Sequence, residues 1–306
     1  MKLVVSLTIL WLAVGGGAWA ATTVEPPGGG GGGGGVCVLA AGDEHRAVAD
    51  EIQRTLGART IRLDVRKVPQ PADISRQCGR MVVAVGREAL RAAVQTPAST
   101  PVVFSMVSSP GALLDGRRPV SGVSLDADPA RIVSLLKHVE PGVRRIGVVY
   151  NPQLTGSLVA AAATAARANG AELVALPVST IGDAIKAFHR FERELPIDAL
   201  WLVPDATATS QETVRYALEL ADWKRISVVG LSRWYVAQGA LFALAPQTSA
   251  QGAQAARMAI ELLHGGPPQG VRYATEYSLL FNTRAARRLG IRPPRDVLEH
   301  SEEVSP

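Results

Sequence analysis

Residues 145–157 read RIGVVYNPQLTGS. The apolar run 145–150 predicts a buried β-strand, and Asn151 before Pro152 predicts the turn that ends it. The alanine-rich segment that follows predicts a helix over about 155–169, closed by Gly170. This stretch is therefore one strand–turn–helix unit, and the same alternation recurs on both sides of it.

Apolar strand-like runs alternate with amphipathic helical runs through most of the chain. Such a pattern is typical of parallel sheets covered by helices on both faces. Helix-start signals support it, because Asp128 with Pro129 forms an N-cap and first-turn pair and Thr209 with Glu212 forms a capping box. Strands are predicted at 36–40, 60–65, 80–85, 101–107, 145–150, 171–178, 198–204, 226–231, 240–245 and about 277–281.

These elements are too many for one small sheet and fall into two similar series. We therefore predict an α/β protein of two lobes, each a parallel sheet flanked by helices. The first lobe is expected to hold residues 36–122 and about 247–270, and the second lobe residues 123–246 and about 271–306.

The amino terminus predicts export. Residues 1–20 combine the basic Lys2, an apolar run and a small-x-small site at Ala18–Ala20, which is typical of a cleaved secretory signal. The alternative is a retained membrane anchor, although the apolar run is short for one. Residues 21–35 form a proline- and glycine-rich tether, whose glycines precede a strand and so do not form a dinucleotide loop. The mature protein is expected in the periplasm.

Charge and cysteine content restrict the partners. The formal net charge of the 306 residues is +5, and it falls to +4 when Lys2 is removed with the signal. The charged residues form mixed-sign pairs, which favour a solvated surface over a nucleic-acid site. Cys37 and Cys78 are expected to pair in an oxidising compartment, the alternative being two buried free thiols. The histidines are isolated, so we expect no metal and no cofactor.

The carboxyl ends of the predicted strands carry small and hydrogen-bonding residues. In open parallel sheets these ends hold the ligand. A set with few charges suits a small polar solute, although turn and cap chemistry explains several of the residues equally well. The candidate ligand-binding residues at these ends are Gly42, Asp43, Gly86, Arg87, Ser108, Ser109, Asn151, Asp205, Thr207 and Ser232.

A catalytic site is not indicated. The segment Gly122–Asp126 lacks the second glycine of a hydrolase elbow, and no histidine is expected at a strand exit. Asp43 and Asp205 are isolated acids without a titrating partner. We therefore predict no catalytic residue and no enzymatic activity.

Several spaced motifs resemble one family. PVVFSMVSSPGALLDG (101–116), RIGVVYNPQLTGS (145–157) and LWLVPDATATS (200–210) are similar to strand exits of ABC-transporter substrate-binding proteins of the tryptophan- and phenylalanine-binding type. GALFALAPQTSAQGAQAARMAIELLHGGPP (239–268) and YSLLFNTRAARRLGIRPP (277–294) resemble the carboxyl-terminal part of the same family. PVSGVSLD (119–126) resembles its crossing between lobes.

The resemblance implies a type I periplasmic-binding-protein fold with three interlobe crossings and a solute in the cleft. It adds Gln153, Ser157 and Gln247 to the candidate contacts. Ser109 stands where the family usually has aspartate, and the family's glutamate is absent near Leu154. Since these acids would anchor an amino group, the departures favour a neutral or anionic solute, the alternative being a cleft that has lost its solute altogether.

The predicted function is that of a monomeric exported protein that captures a small molecule and delivers it to an ABC permease. The alternative is a periplasmic sensory partner of a membrane signalling receptor. Neither function requires nucleic acid, a cofactor or covalent chemistry.

Overall fold

The computed structural model describes residues 35–57, 60–64, 66, 71–114, 116 and 118–304. The predicted signal and most of the tether lie outside these residues. The strands are, in chain order, β1 (Val36–Ala40), β2 (Ile61–Asp64), β3 (Met81–Val85), β4 (Val102–Val107), β5 (Val120–Ser124), β6 (Arg145–Tyr150), β7 (Glu172–Pro177), β8 (Ala199–Trp201), β9 (Ser227–Val229), β10 (Phe242–Pro246), β11 (Val271–Tyr273), β12 (Tyr277–Phe281) and β13 (Ser301–Glu303).

The helices lie between these strands. They are α1 (Arg46–Leu56), α2 (Pro71–Gln77), α3 (Arg87–Ala93), α4 (Pro129–Val139), α5 (Pro152–Ala168), α6 (Ile181–Arg193), α7 (Gln211–Lys224), α8 (Arg233–Ala237), α9 (Thr248–Leu263), α10 (Thr283–Leu289) and α11 (Arg295–Glu299), with a 3-10 helix at Pro110–Leu113.

The strands form two sheets. The first sheet has the order β11-β5-β4-β3-β1-β2 and is parallel throughout. The second has the order β13-β12-β10-β9-β8-β6-β7, and its one antiparallel pair is β10 with β12. The predicted fold class, a two-lobed α/β protein with helix-covered parallel sheets, is confirmed.

The chain passes from the first sheet to the second after β5, returns after β10, and crosses again between β11 and β12. The positions of these passages correct the expected lobe boundaries. Residues 123–124 complete β5, and Val271–Tyr273 form β11, so both segments belong to the first sheet. The short β11 was not predicted because it carries two exposed residues and little apolar signal.

Each sheet is buried on both faces. In the first sheet Val38 and Val83 pack with α1 and α9, whereas Leu39 and Val82 face the opposite side with Phe104. Neighbouring strand residues point to opposite faces, so burial of both sets explains the near-continuous apolar runs. The second sheet has the same two-sided core.

The two cysteines of the first lobe form a disulfide. Cys37 lies in β1 and Cys78 follows α2, their Cα atoms are 5.3 Å apart, and both side chains are fully buried. The bond closes a segment of sequence separation 41 and ties α2 to the sheet.

Two helix starts differ from the sequence prediction. Helix α5 begins at Pro152 instead of about 155, because the Asn151 side chain accepts a hydrogen bond from the Gln153 amide and caps the helix. The predicted capping box at Thr209 is wrong, since Ser210 caps α7 by accepting from the Thr213 amide. The Thr209 hydroxyl instead bonds the carbonyl of Asp205 at 2.6 Å.

Candidate functional site

The predicted strand exits gather at the carboxyl edges of the two sheets. Strands β1, β3 and β4 are parallel neighbours in the first sheet, and β6, β8 and β9 are parallel neighbours in the second. The exits of each set therefore lie at one edge. The two edges also meet, because the Ser109 hydroxyl lies 3.5 Å from the Pro204 carbonyl oxygen, across the cleft between the lobes.

A second contact across the cleft involves a glycine. A Cβ atom added at Gly111 would lie 2.9 Å from the Ser157 Oγ atom, a distance that real Cβ atoms essentially never show. Gly111 belongs to the 3-10 helix of the first lobe, and Ser157 lies in α5 of the second. We call the facing edges of the two lobes the rims of the cleft: the first-lobe rim holds Ser109 and Gly111, and the second-lobe rim holds Pro204 and Ser157. The rims touch at these two points in this conformation.

Asp205 organises the second-lobe rim. Its side chain is 1% exposed. One carboxylate oxygen accepts from the Asn151 amide at 2.6 Å and the Thr155 hydroxyl at 2.7 Å, and the other accepts from the amides of Thr207 at 2.9 Å and Ala208 at 3.1 Å. Four hydrogen bonds use the full acceptor capacity of a carboxylate. Asp205 therefore positions the loops, and it leaves no free acceptor for a solute.

Asn151 and Thr207 form the polar surface that Asp205 positions. The Asn151 side chain donates to the Thr207 hydroxyl at 3.1 Å while its oxygen caps α5. Gln153 and Ser157, in the first turns of α5, are exposed. Ser157 faces the first lobe, through its close approach to Gly111.

The first-lobe rim depends on an irregular strand end. The pairing of β4 with β5 shifts register between Phe104 and Val107, and Met106 within this bulge has φ +60°. Ser109 has φ +48°, also rare for a residue other than glycine. Bulges redirect side chains at strand ends. Here the bulge precedes Ser108 and Ser109, which begin the loop that reaches the second lobe.

Asp126 holds this loop, and the sequence did not predict it as a site residue. It follows β5, and one oxygen accepts from the Ser109 amide at 2.8 Å and from the Ser124 hydroxyl at 2.9 Å. Burial raises the pKa of the Asp126 carboxyl, and the hydrogen bonds to Ser109 and Ser124 partly oppose that rise. The available signal was a carboxylate placed two residues after a fully buried strand.

The exits of β1 and β3 surround a histidine. Gly86, with φ +91°, admits the His45 ring, since a Cβ atom there would lie 2.7 Å from His45 Nε2. His45 is the residue before α1, so the prediction that no histidine lies at a strand exit is wrong. The Arg87 guanidinium lies 3.5 Å from the Ser108 carbonyl oxygen. Gly42 has φ +69°, and the adjacent Asp43 pairs with Arg46 in solvent.

The last two predicted contacts have less defined surroundings. Ser232 precedes α8 without capping it through its side chain and is half-buried. The Gln247 side chain is exposed, and its backbone amide donates to the Glu276 carbonyl at 3.0 Å, which joins two passages between the lobes.

The groups at the rims can form directed hydrogen bonds. Within the described ranges, no cluster of three or more histidine, cysteine or acidic residues is arranged to hold a metal ion. Among the same residues, no helix has the length and apolar content needed to cross a membrane.

Solved structures share this architecture. The chain resembles a conserved domain protein from Vibrio cholerae (24% identity, 89% of this chain and 99% of that chain, TM-score 0.56). It also resembles an ABC domain in complex with L-Trp from Streptococcus pneumonia (18% identity, 88% and 99%, TM-score 0.59). A third relative is a ligand-free, open substrate-binding protein with adhesive properties from Clostridium difficile (18% identity, 88% and 98%, TM-score 0.64).

The fold is that of a two-lobed type I periplasmic binding protein. The model of the family described as ABC transporter substrate binding protein matches residues 62–305, and the chain belongs to that family. The comparison with curated proteins found no match.

Proposed function

We propose that this protein is exported to the periplasm, captures a small solute between its two lobes and presents the closed form to an ABC permease. Family membership supports substrate binding as the general role. The observation that carries the specific proposal is the pair of contacts across the cleft, Ser109 to Pro204 and Gly111 to Ser157, between rims of polar groups.

Closure is the proposed mechanism. A solute that contacts both rims binds the closed state more tightly than the open state and shifts the population toward it. The hydroxyl and amide groups of Ser108, Asn151, Gln153, Ser157 and Thr207 are the proposed contacts. Binding of this kind requires no bond to be made or broken, and we propose no catalytic step.

Native mass spectrometry of the gently purified protein tests solute capture. We expect a bound small molecule whose affinity falls about two- to tenfold in Ser157→Ala, the loss of one hydrogen bond. Thr164→Ala is the matched control, because Thr164 is exposed on the same helix, away from its amino-terminal end. Equal affinities for the two variants would contradict this placement of the solute.

Capture from detergent-solubilised membranes tests the partner. The solute-loaded protein should retain a permease together with its ATPase subunit, and the solute-free protein should retain less of both. Recovery of a membrane kinase or cyclase receptor in place of a permease would contradict the transport role.

A further inference from the structure

Three side chains of different chemistry meet between helices α6 and α7 of the second lobe. His189 and Glu192 lie one turn apart on α6, and Tyr216 lies on α7. The Tyr216 Oη atom is 2.8 Å from both His189 Nδ1 and Glu192 Oε2, and those two atoms are 2.9 Å apart. One nitrogen and two oxygen atoms therefore form a nearly equilateral triangle.

Hydrogen bonds alone do not satisfy all three sides of this triangle. The tyrosine hydroxyl carries one proton, His189 Nδ1 carries at most one, and a carboxylate carries none. Two protons serve two of the three short contacts, so one side of the triangle has no proton of its own. A single cation placed against the triangle would contact all three atoms at once.

The triangle is held by packed helices and is open to solvent. Helices α6 and α7 together cover one face of the second sheet. The Tyr216 ring lies 6.3 Å from the ring of the buried Phe188 and 4.9 Å from the His189 ring, measured between centroids. His189 is exposed and the other two side chains of the triangle are half-buried, so an ion can reach them. Ligands on rigid elements hold their geometry better than ligands on loops.

The size of the triangle favours one coordination geometry. An ion about 2.1 Å from all three atoms would make angles of about 85° between them. An octahedron has angles of about 90°, whereas a tetrahedron has angles of about 109° and at the same bond length needs ligand atoms about 3.4 Å apart. The three side chains therefore match one face of an octahedron and leave three coordination positions open.

The three ligand types favour iron. Facial sets of imidazole and carboxylate ligands with open positions are typical of non-haem iron, and tyrosine oxygen is an axial iron ligand in some haem proteins. A phenolate and a carboxylate are hard, negatively charged oxygen ligands, which suit the ferric ion best.

We propose that His189, Glu192 and Tyr216 form a three-ligand site for ferric iron on the helical layer of the second lobe, away from the rims of the cleft. When the ion binds, the hydroxyl proton of Tyr216 leaves to solvent and the imidazole proton of His189 moves to Nε2, and no electron is transferred. The sequence predicts no metal because its histidines are isolated. Tyr216 is 27 positions from His189, and only the packing of α6 against α7 brings them together.

Titration of the tag-free mature protein with ferric citrate tests the site. A phenolate bound to ferric iron absorbs visible light by charge transfer, so an absorption band should grow until each protein holds a single ion. Tyr216→Phe keeps the ring against Phe188 and removes only the ligand oxygen. It should show no band and bind iron at least about tenfold more weakly, since loss of even an outer-shell partner of a metal site has an effect of that size.

His138→Gln is the matched control. His138 Nε2 lies 2.9 Å from Asp296 Oδ2, so it belongs to a second exposed histidine–carboxylate pair, which gains no tyrosine ligand among the described residues. This variant should keep the band and the iron affinity of the wild type, whereas His189→Gln should lose both.

Three results would overturn the iron site: no band in the wild type, a band that survives in Tyr216→Phe, or the same loss in His138→Gln as in His189→Gln. Zn²⁺ tests the geometry, because its structural sites are tetrahedral. An equimolar amount of Zn²⁺ should leave the band in place, and displacement of the iron would contradict the octahedral assignment.

Discussion

Replacing Asp205 by alanine tests whether this carboxylate positions the second-lobe rim. The sequence predicts Asp205 as a ligand-binding residue. Loss of a ligand contact alone would weaken binding without affecting the fold. In the structure Asp205 is 1% exposed and accepts four hydrogen bonds from its own lobe. Asp205→Ala should therefore lower stability even in the absence of any solute.

The expected loss follows from the four donors left without an acceptor. A hydrogen bond to a charged group contributes about 1.5–3 kcal/mol, but bonds in one network are not additive. We expect a decrease of roughly 3–5 kcal/mol in the free energy of unfolding, the range for disrupting a buried charged network. At about 2–4 °C per kcal/mol for a protein of this size, Tm should fall by about 6–20 °C.

Chemical denaturation of the solute-free protein measures this change. Asp205→Asn keeps one acceptor oxygen and should lose less than Asp205→Ala. Asp43→Ala is the control, because the Asp43 side chain is 84% exposed and should show no measurable change. A loss below about 1 kcal/mol in Asp205→Ala, or the same loss in the control, would refute the positioning role.

Three further predictions concern the cleft and the first lobe. Gly111→Val should hold the two lobes apart at this contact and lower the affinity for the co-purified solute by at least about tenfold. Gly142→Val is the control, because Gly142 lies in open space, and it should leave the affinity unchanged. Equal affinities of the two variants in a binding titration would contradict the interlobe contact. Replacing Cys37 and Cys78 together by alanine should lower the free energy of unfolding by about 4 kcal/mol in the chain-entropy model, and reductant should then have no further effect on the denaturation midpoint. Burial raises the pKa of Asp126, so the stability contributed by its protonated form is lost as the pH rises through that pKa. Asp126→Asn should therefore gain stability relative to wild type as the pH rises above the ordinary carboxyl range, and a stability difference that does not change with pH would be inconsistent with this.

Much of the fold could be predicted because its signals are local. The Asp128–Pro129 helix start is present as predicted, with Asp128 accepting from the Ala130 amide at 2.8 Å. The choice between Thr209 and Ser210 as the cap of α7 could not be predicted. It depends on the Thr209 hydroxyl being used by the loop that follows β8, and either residue type is a favourable cap.

The candidate site was harder to predict because its partners are far apart in sequence. The hydrogen bond between Asn151 and Asp205 joins residues that are 54 positions apart. Asp205 therefore has no visible partner in the sequence, although both of its carboxylate oxygens are fully hydrogen-bonded in the structure. Asp126 was read as part of an incomplete hydrolase elbow, and only the fold brings it to Ser109, 17 residues away. His45 follows β1 by several residues, and its position against Gly86 depends on the pairing of β1 with β3.

Small-angle X-ray scattering of the mature protein, with and without its co-purified solute, tests closure of the cleft most directly. If the two lobes close over a small molecule, the radius of gyration should decrease when the solute is added, and Gly111→Val should reduce that decrease. A scattering profile that stays the same at saturating solute would contradict the account.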